Sequence, residues 1–186
     1  MNRLFPSPTP RRTTTMSARL FRPLVPLLLL TLMISTLASG SASAESKPDN
    51  SAALDGVKRT KAVFLIRFDE PGRTGSFMKA ILATDKGLEE EGVESDMVVV
   101  FIGKAVRFLT TTPDAEIARE HGKALETIAE TARDLKSRGI RMEVCGAATK
   151  RFGVDNATIL DEMDVVGNGF ISLIGWQTQG YVPMTF

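Results

Sequence analysis

Met97-Val98-Val99-Val100-Phe101-Ile102 is an unbroken apolar run, rich in β-branched side chains and ended by Gly103. Successive side chains of a strand point to opposite faces, so such a run is stable only where both faces are covered. That describes the middle of a parallel sheet with helices on each side, and it constrains the rest of the chain. A second run of the same kind, within Lys61–Phe68, predicts another covered strand. Between them Asp69 to Arg73 reads as a turn around Pro71-Gly72. A helix follows from about Gly75 or Ser76 to Glu91, where Phe77, Met78, Ile81, Leu82 and Leu88 recur at helical spacing and Gly92 is a stop.

After Gly103-Lys104, Thr112 followed by Pro113 and Asp114 predicts the start of a second helix. Its stripe is Ile117, His121, Leu125, Ile128, Ala132 and Leu135, with Gly139 as its end and a possible division at Gly122. His121, the single histidine, falls on that stripe and reads as partly buried and structural. No second histidine or nearby cysteine gives it metal-ligand spacing, so no metal or other cofactor is expected. Residues 140–145 alternate, with Ile140, Met142 and Val144 on one face and Arg141, Glu143 and Cys145 on the other. That pattern predicts an edge-like or interface-facing strand. Gly146 turns the chain into a short helix, and Asp155–Met163 reads as another. A short strand and turn over 164–168, a helix from Gly169 to Gln179 and an edge strand over Tyr181–Met184 complete the pattern.

Strands alternating with helices over short connections imply an α/β fold: three layers, α/β/α, around a mostly parallel sheet of about five strands. Ligands of such sheets bind beyond the carboxyl ends of the strands. That edge gathers Asp69 to Arg73, Gly103-Lys104 and Cys145 to Arg151.

The N-terminal segment has another character. Residues 1–44 hold five arginines, no acidic residue, an apolar run from Leu24 to Leu37, and Ala42-Ser43-Ala44 after it. This is the three-part pattern of a secretory signal peptide, with Met16 an alternative start to Met1. Residues 45–60, small and polar at first, read as a flexible leader, and 61–186 as the folded domain. The expected location is periplasmic or secreted, with no membrane attachment after cleavage. Losing five of the 23 basic residues leaves 18 against 22 acidic ones, a net charge of −4. A nucleic-acid binder would want a basic stripe instead, so no nucleic-acid partner is expected.

The chain has one cysteine, so no disulfide can form within it. In an exported chain a leftover cysteine suggests an intermolecular bridge or a free reactive thiol, against the plainer role of a small buried hydrophobe, and these remain open to Cys145. At a strand end opening into a helix, backbone N–H groups favour a thiolate, as would Lys150 and Arg151; Glu143 opposes it. The candidate site is therefore Cys145 with Gly146, Ala147, Lys150, Arg151, Lys104 and Arg73.

Val144-Cys145-Gly146-Ala147-Ala148-Thr149-Lys150-Arg151-Phe152-Gly153-Val154 resembles the cysteine segment of the DsrE/DsrF-like proteins. Gly103 to Leu109 is similar to that family's segment after the second strand, and Gln179-Gly180-Tyr181 to its near-terminal pattern. The resemblance implies a parallel three-layer fold assembling into homo- or hetero-oligomers, here a homotrimer or homohexamer. In some members a cysteine, matched by Cys145, takes sulfur as a persulfide from a donor protein and passes it to an acceptor, so the resemblance implies sulfur handling at Cys145, by persulfide carriage or thiol redox. The other reading is an oligomeric interaction module with a structural Cys145. Oligomerisation is expected from the residues too, because Phe170, Leu173, Ile174 and Trp176 crowd one helix of a small domain.

Overall fold

The computed structural model describes residues 48–185. The signal segment 1–44 and the first residues of the leader lie outside the described residues. Five strands form one sheet: β1 (Arg59–Ile66), β2 (Glu94–Phe101), β3 (Arg141–Cys145), β4 (Asp164–Val166) and β5 (Val182–Thr185). Their order is β4-β3-β2-β1-β5 and every pairing is parallel. Four helices connect them: α1 (Pro71–Glu90), α2 (Ala115–Ser137), α3 (Gly146–Phe152) and α4 (Gly169–Thr178). The expected α/β/α architecture is present, with β2 central and Val98 to Phe101 almost wholly buried. No helix among the described residues is long and apolar enough to cross a membrane.

The layers follow from the connections. The first four strands are laid down in one direction across the sheet, so α1 and α2 pack together on one face. At Gly75 of α1 an added Cβ would stand 3.3 Å from Thr127 Cγ2 of α2. Arg138, at the end of α2, binds Asp85 and Glu89 of α1, and buried Asp85 also accepts from Ser95 Oγ of β2. The last crossover must return from the β4 edge to the β5 edge. It carries α4 over the opposite face, against β1, β2 and β3.

Several local expectations are corrected. β3 is not an edge strand, because β2 and β4 flank it. Its polar face is closed by α4 instead: Trp176 Nε1 donates to buried Glu143 Oε2 at 3.1 Å, and the Arg141 guanidinium lies 5.7 Å from the Trp176 ring centre. α1 begins at Pro71 rather than near Ser76, since proline's missing N–H costs nothing in a first turn. α2 begins at Ala115, where Asp114 rather than Thr112 accepts the capping bond, from Glu116 N–H at 3.0 Å. The break in α2 falls at His121, with φ −128° and ψ 20°. That break leaves the imidazole exposed and not partly buried.

Asp155–Met163 is not a helix. Only Asn156–Thr158 makes a 3-10 turn, capped by the Asp155 carboxylate on Ala157 N–H. Beyond it Ile159 bridges to Thr110, and Leu160 N–H donates to Leu109 O. Short polar side chains there bond the nearby backbone and compete with helix formation. Residues 51–56 form turns, with Asn50 N–H donating to Glu91 Oε1 at 3.4 Å.

Two measurements probe the α4 layer. An added Cβ at Gly169 would stand 2.6 Å from Ile102 Cγ2 and 3.1 Å from Cys145 Cβ, whereas at Gly175 it meets nothing within 4 Å. Gly169→Ala should therefore cost about 1–3 kcal/mol in urea unfolding, and Gly175→Ala should be neutral or gain up to about 1 kcal/mol. Tyr181 OH donates to Asp96 Oδ2 at 2.8 Å, and burial followed by this bond pushes its pKa up from 10.0 to about 12. The folded protein then holds a phenol proton that the unfolded chain gives up first. This stabilisation is complete below pH 10 and is lost as pH rises to about 12. Tyr181→Phe should abolish that alkaline loss, which is on the order of 2–3 kcal/mol by denaturant titration.

Candidate functional site

The carboxyl edge of the sheet opens into a cleft of about 900 Å³, with Cys145 among its lining residues. β3 delivers this thiol as its last residue, and only 4% of the residue is exposed. It sits between two helix starts. Cys145 is itself the residue before α3, although its side chain makes no capping bond. Gly169 opens α4 beside Cys145, so close that an added Cβ would stand 3.1 Å from the Cys145 Cβ, and Asn168 caps α4 by accepting from Phe170 N–H at 2.9 Å.

Each strand end adds residues to the cleft. Arg67, Phe68 and Asp69 follow β1, and Arg73 projects from the first turn of α1. Ile102, Gly103 and Lys104 follow β2. Ala147, Ala148, Arg151 and Phe152 come from α3, and Asn168 and Phe170 from the start of α4. Arg67, Arg73, Lys104 and Arg151 face one carboxylate, Asp69, so the cleft carries an excess of three positive charges. Asp69 Oδ2 is 3.7 Å from Lys104 Nζ. The Arg73 guanidinium lies over the Phe68 ring at 4.3 Å, and that of Arg151 is 6.0 Å from the Phe152 ring centre. Among the described residues no carboxylate is within ion-pair distance of Arg67, Arg73 or Arg151.

Of the residues the sequence singled out, Cys145, Ala147, Arg151, Lys104 and Arg73 come together around the cleft. Lys150 and Gly146 are not among its lining residues. Lys150 is exposed one position before Arg151, on a different side of the short helix. Gly146 serves geometry, because an added Cβ would stand 2.9 Å from Val166 O. The backbone N–H of Ala147 donates to Gly167 O at 3.1 Å, which ties α3 to the turn after β4. Buried Glu143 lies on the same strand face as Cys145, with Trp176 Nε1 on its carboxylate.

Sequence reasoning missed Arg67 and Phe68, which read as the end of the first strand. It missed Asn168 and Phe170 as well. Their signal was the Asn168-Gly169 pair opening the last helix, but nothing local tells which strand end that helix overhangs. Among the described residues, no group of three or more His, Cys, Asp or Glu side chains is placed to hold a metal ion.

Protein comparisons bear on this arrangement. No curated protein matches the chain. Among solved structures, the protein of unknown function MTH1491 from Methanobacterium thermoautotrophicum is similar, with 19% identity and a TM-score of 0.52 over 69% of this chain and 99% of that one. The ychN protein from E. coli is 18% identical with a TM-score of 0.49, covering 68% of this chain and 99% of its own. The first of these likenesses concerns the fold alone. The sequence model of the DsrE/DsrF-like family matches residues 60–186, essentially the whole described domain, and the chain belongs to that family.

Proposed function

We propose that this protein handles sulfur at Cys145, holding it as a persulfide on the thiol and releasing it to an acceptor. The observation that carries this reading is the placement of the chain's single thiol against a cleft with three arginines that have no carboxylate partner among the described residues. A persulfide is an anion when deprotonated, and nearby fixed cations favour the charged form of a sulfur nucleophile. Membership in a family with sulfur-relay members supports the same direction. The 4% exposure of Cys145 suits an intermediate that must be kept from indiscriminate thiols. In this reading Arg151 and Arg73 steady the sulfur anion, while Lys104, engaged with Asp69, shapes the mouth.

The protein is further proposed to act outside the cytoplasm, on the strength of the segment before Glu45, and to work as a homo-oligomer. Residues 167–186 contain no charged side chain, and Phe170, Ile171 and Ile174 of α4 are 59%, 68% and 65% exposed. An uncharged helix with that much apolar surface is suited to burial against another subunit. The same observation favours a second reading, in which the domain is an interaction module and Cys145 is packing.

Incubation with a persulfide donor should add the mass of one sulfur atom to Cys145, read by intact-protein and peptide mass spectrometry. Wild type that stays unmodified while a control thiol protein loads would overturn the sulfur reading. Cys145→Ser should abolish loading and leave the assembly unchanged. Sedimentation of the mature chain at micromolar concentration should show an oligomer, and Ile171→Glu with Ile174→Glu should release monomers. A wild type that sediments only as a monomer would sink the assembly proposal.

A further inference from the structure

The cleft is larger and more charged than a lone sulfur atom needs. Resting on the sulfur reading above, we infer that the donor to Cys145 is a small organic persulfide bearing carboxylates, bound in the cleft, and not an uncharged sulfur compound. Three features converge on that class. The first is charge. Arg67, Arg73 and Arg151 come from three different segments, converge on one cavity, and have no carboxylate partner among the described residues. The described residues as a whole hold 17 basic and 21 acidic side chains, a net charge of −4. Cations gathered in one concavity of a net acidic domain raise the local concentration of anions there. Guanidinium forks also match the bidentate geometry of carboxylates.

The second feature is size. A cavity of about 900 Å³ lies at the upper end of what small organic ligands occupy and far exceeds a bare inorganic anion. A second, smaller space of about 340 Å³, bordered by Leu65 and Thr185, shares Arg67, Ile102 and Phe170 with it. The third is the apolar lining. Phe68, Ile102 and Phe170 offer surface that a carrier's carbon skeleton can cover and a simple oxyanion cannot.

The transfer balances without an added oxidant or reductant. The Cys145 thiolate attacks the outer sulfur of the donor R–S–SH, and a new bond forms between Sγ and that sulfur. The donor's S–S bond breaks and its electron pair leaves on R–S⁻. The hydrogen stays on the transferred sulfur until solvent takes it. The leaving thiolate and the carboxylates of R are both anionic, so the arginines favour binding and departure of charge in the same place.

The test compares loading rates of Cys145 in the full mature chain with two probes, glutathione persulfide and the persulfide of 2-mercaptoethanol, at low ionic strength. The carboxylate-bearing probe should load about tenfold faster, and the advantage should shrink in about 0.5 M salt. Arg73→Gln with Arg151→Gln should bring the ratio of the two rates toward one, whereas Arg133→Gln, exposed on α2 outside the cleft, should preserve it. Equal rates in wild type, or a ratio indifferent to the paired arginine change, would overturn the carboxylate inference and leave sulfur carriage standing. Failure of both probes to load would remove the sulfur reading and this inference together.

Discussion

The two-sided burial of β2 is the constraint on which everything else depends. Val98, Val99, Val100 and Phe101 point alternately up and down, and each is at most 1% exposed. No arrangement with one solvated face can satisfy them. The connections from β1 to β4 therefore place α1 and α2 on one side, and the only way to cover the other is for a later segment to come back across the sheet. That return is α4. Gly169 and Trp176 fit it closely to the underside, one against Ile102 and Cys145, the other on the Glu143 carboxylate.

The site is a by-product of this closure. A parallel sheet turns all its strand ends to the same edge, and the residue leaving each strand faces a common space. Arg67 after β1, Lys104 after β2 and Cys145 at the end of β3 meet there although they are far apart in sequence. Arg73 reaches the same space from the first turn of α1, where a loop was expected. The electrostatics are local: three guanidinium groups with no carboxylate partner among the described residues, beside one Lys104–Asp69 pair at 3.7 Å. Such surface cations are worth little individually in water, but a concave wall with aromatic neighbours lowers the screening they experience.

The covered strands and the layer order were legible in the sequence because burial on both faces leaves an unmistakable apolar run. The cysteine's position at a strand end was legible for a different reason, the alternation of residues 140–145 followed by the turn at Gly146. β3 was misread because its Arg141, Glu143 and Cys145 face looks solvent-facing, and only a tertiary partner, the Trp176 indole, reveals that the carboxylate is buried. Asp155–Met163 was misread because the apolar spacing of Ile159, Leu160 and Met163 fits a helix, while the pairing of Ile159 with Thr110 depends on a segment almost fifty residues earlier. His121 shows the converse, a residue on the expected stripe that a break in its own helix turns outward. Asn168 and Phe170 could not be placed at the cleft without the strand order, since β4 neighbours β3 while the next strand lies at the far edge.

The long return from β4 to β5 also sets an order of events for the growing chain. β3 leaves the ribosome with its thiol before α4 exists, so Cys145 has neither the Gly169 cover nor the Phe170 wall at that stage. β1, the first strand made, waits longest for its second neighbour, because β5 is the last. Contacts of such large sequence separation form late in folding. The cleft around Cys145 is thus assembled as the domain closes, and a chain halted before α4 presents a bare thiol on an open sheet.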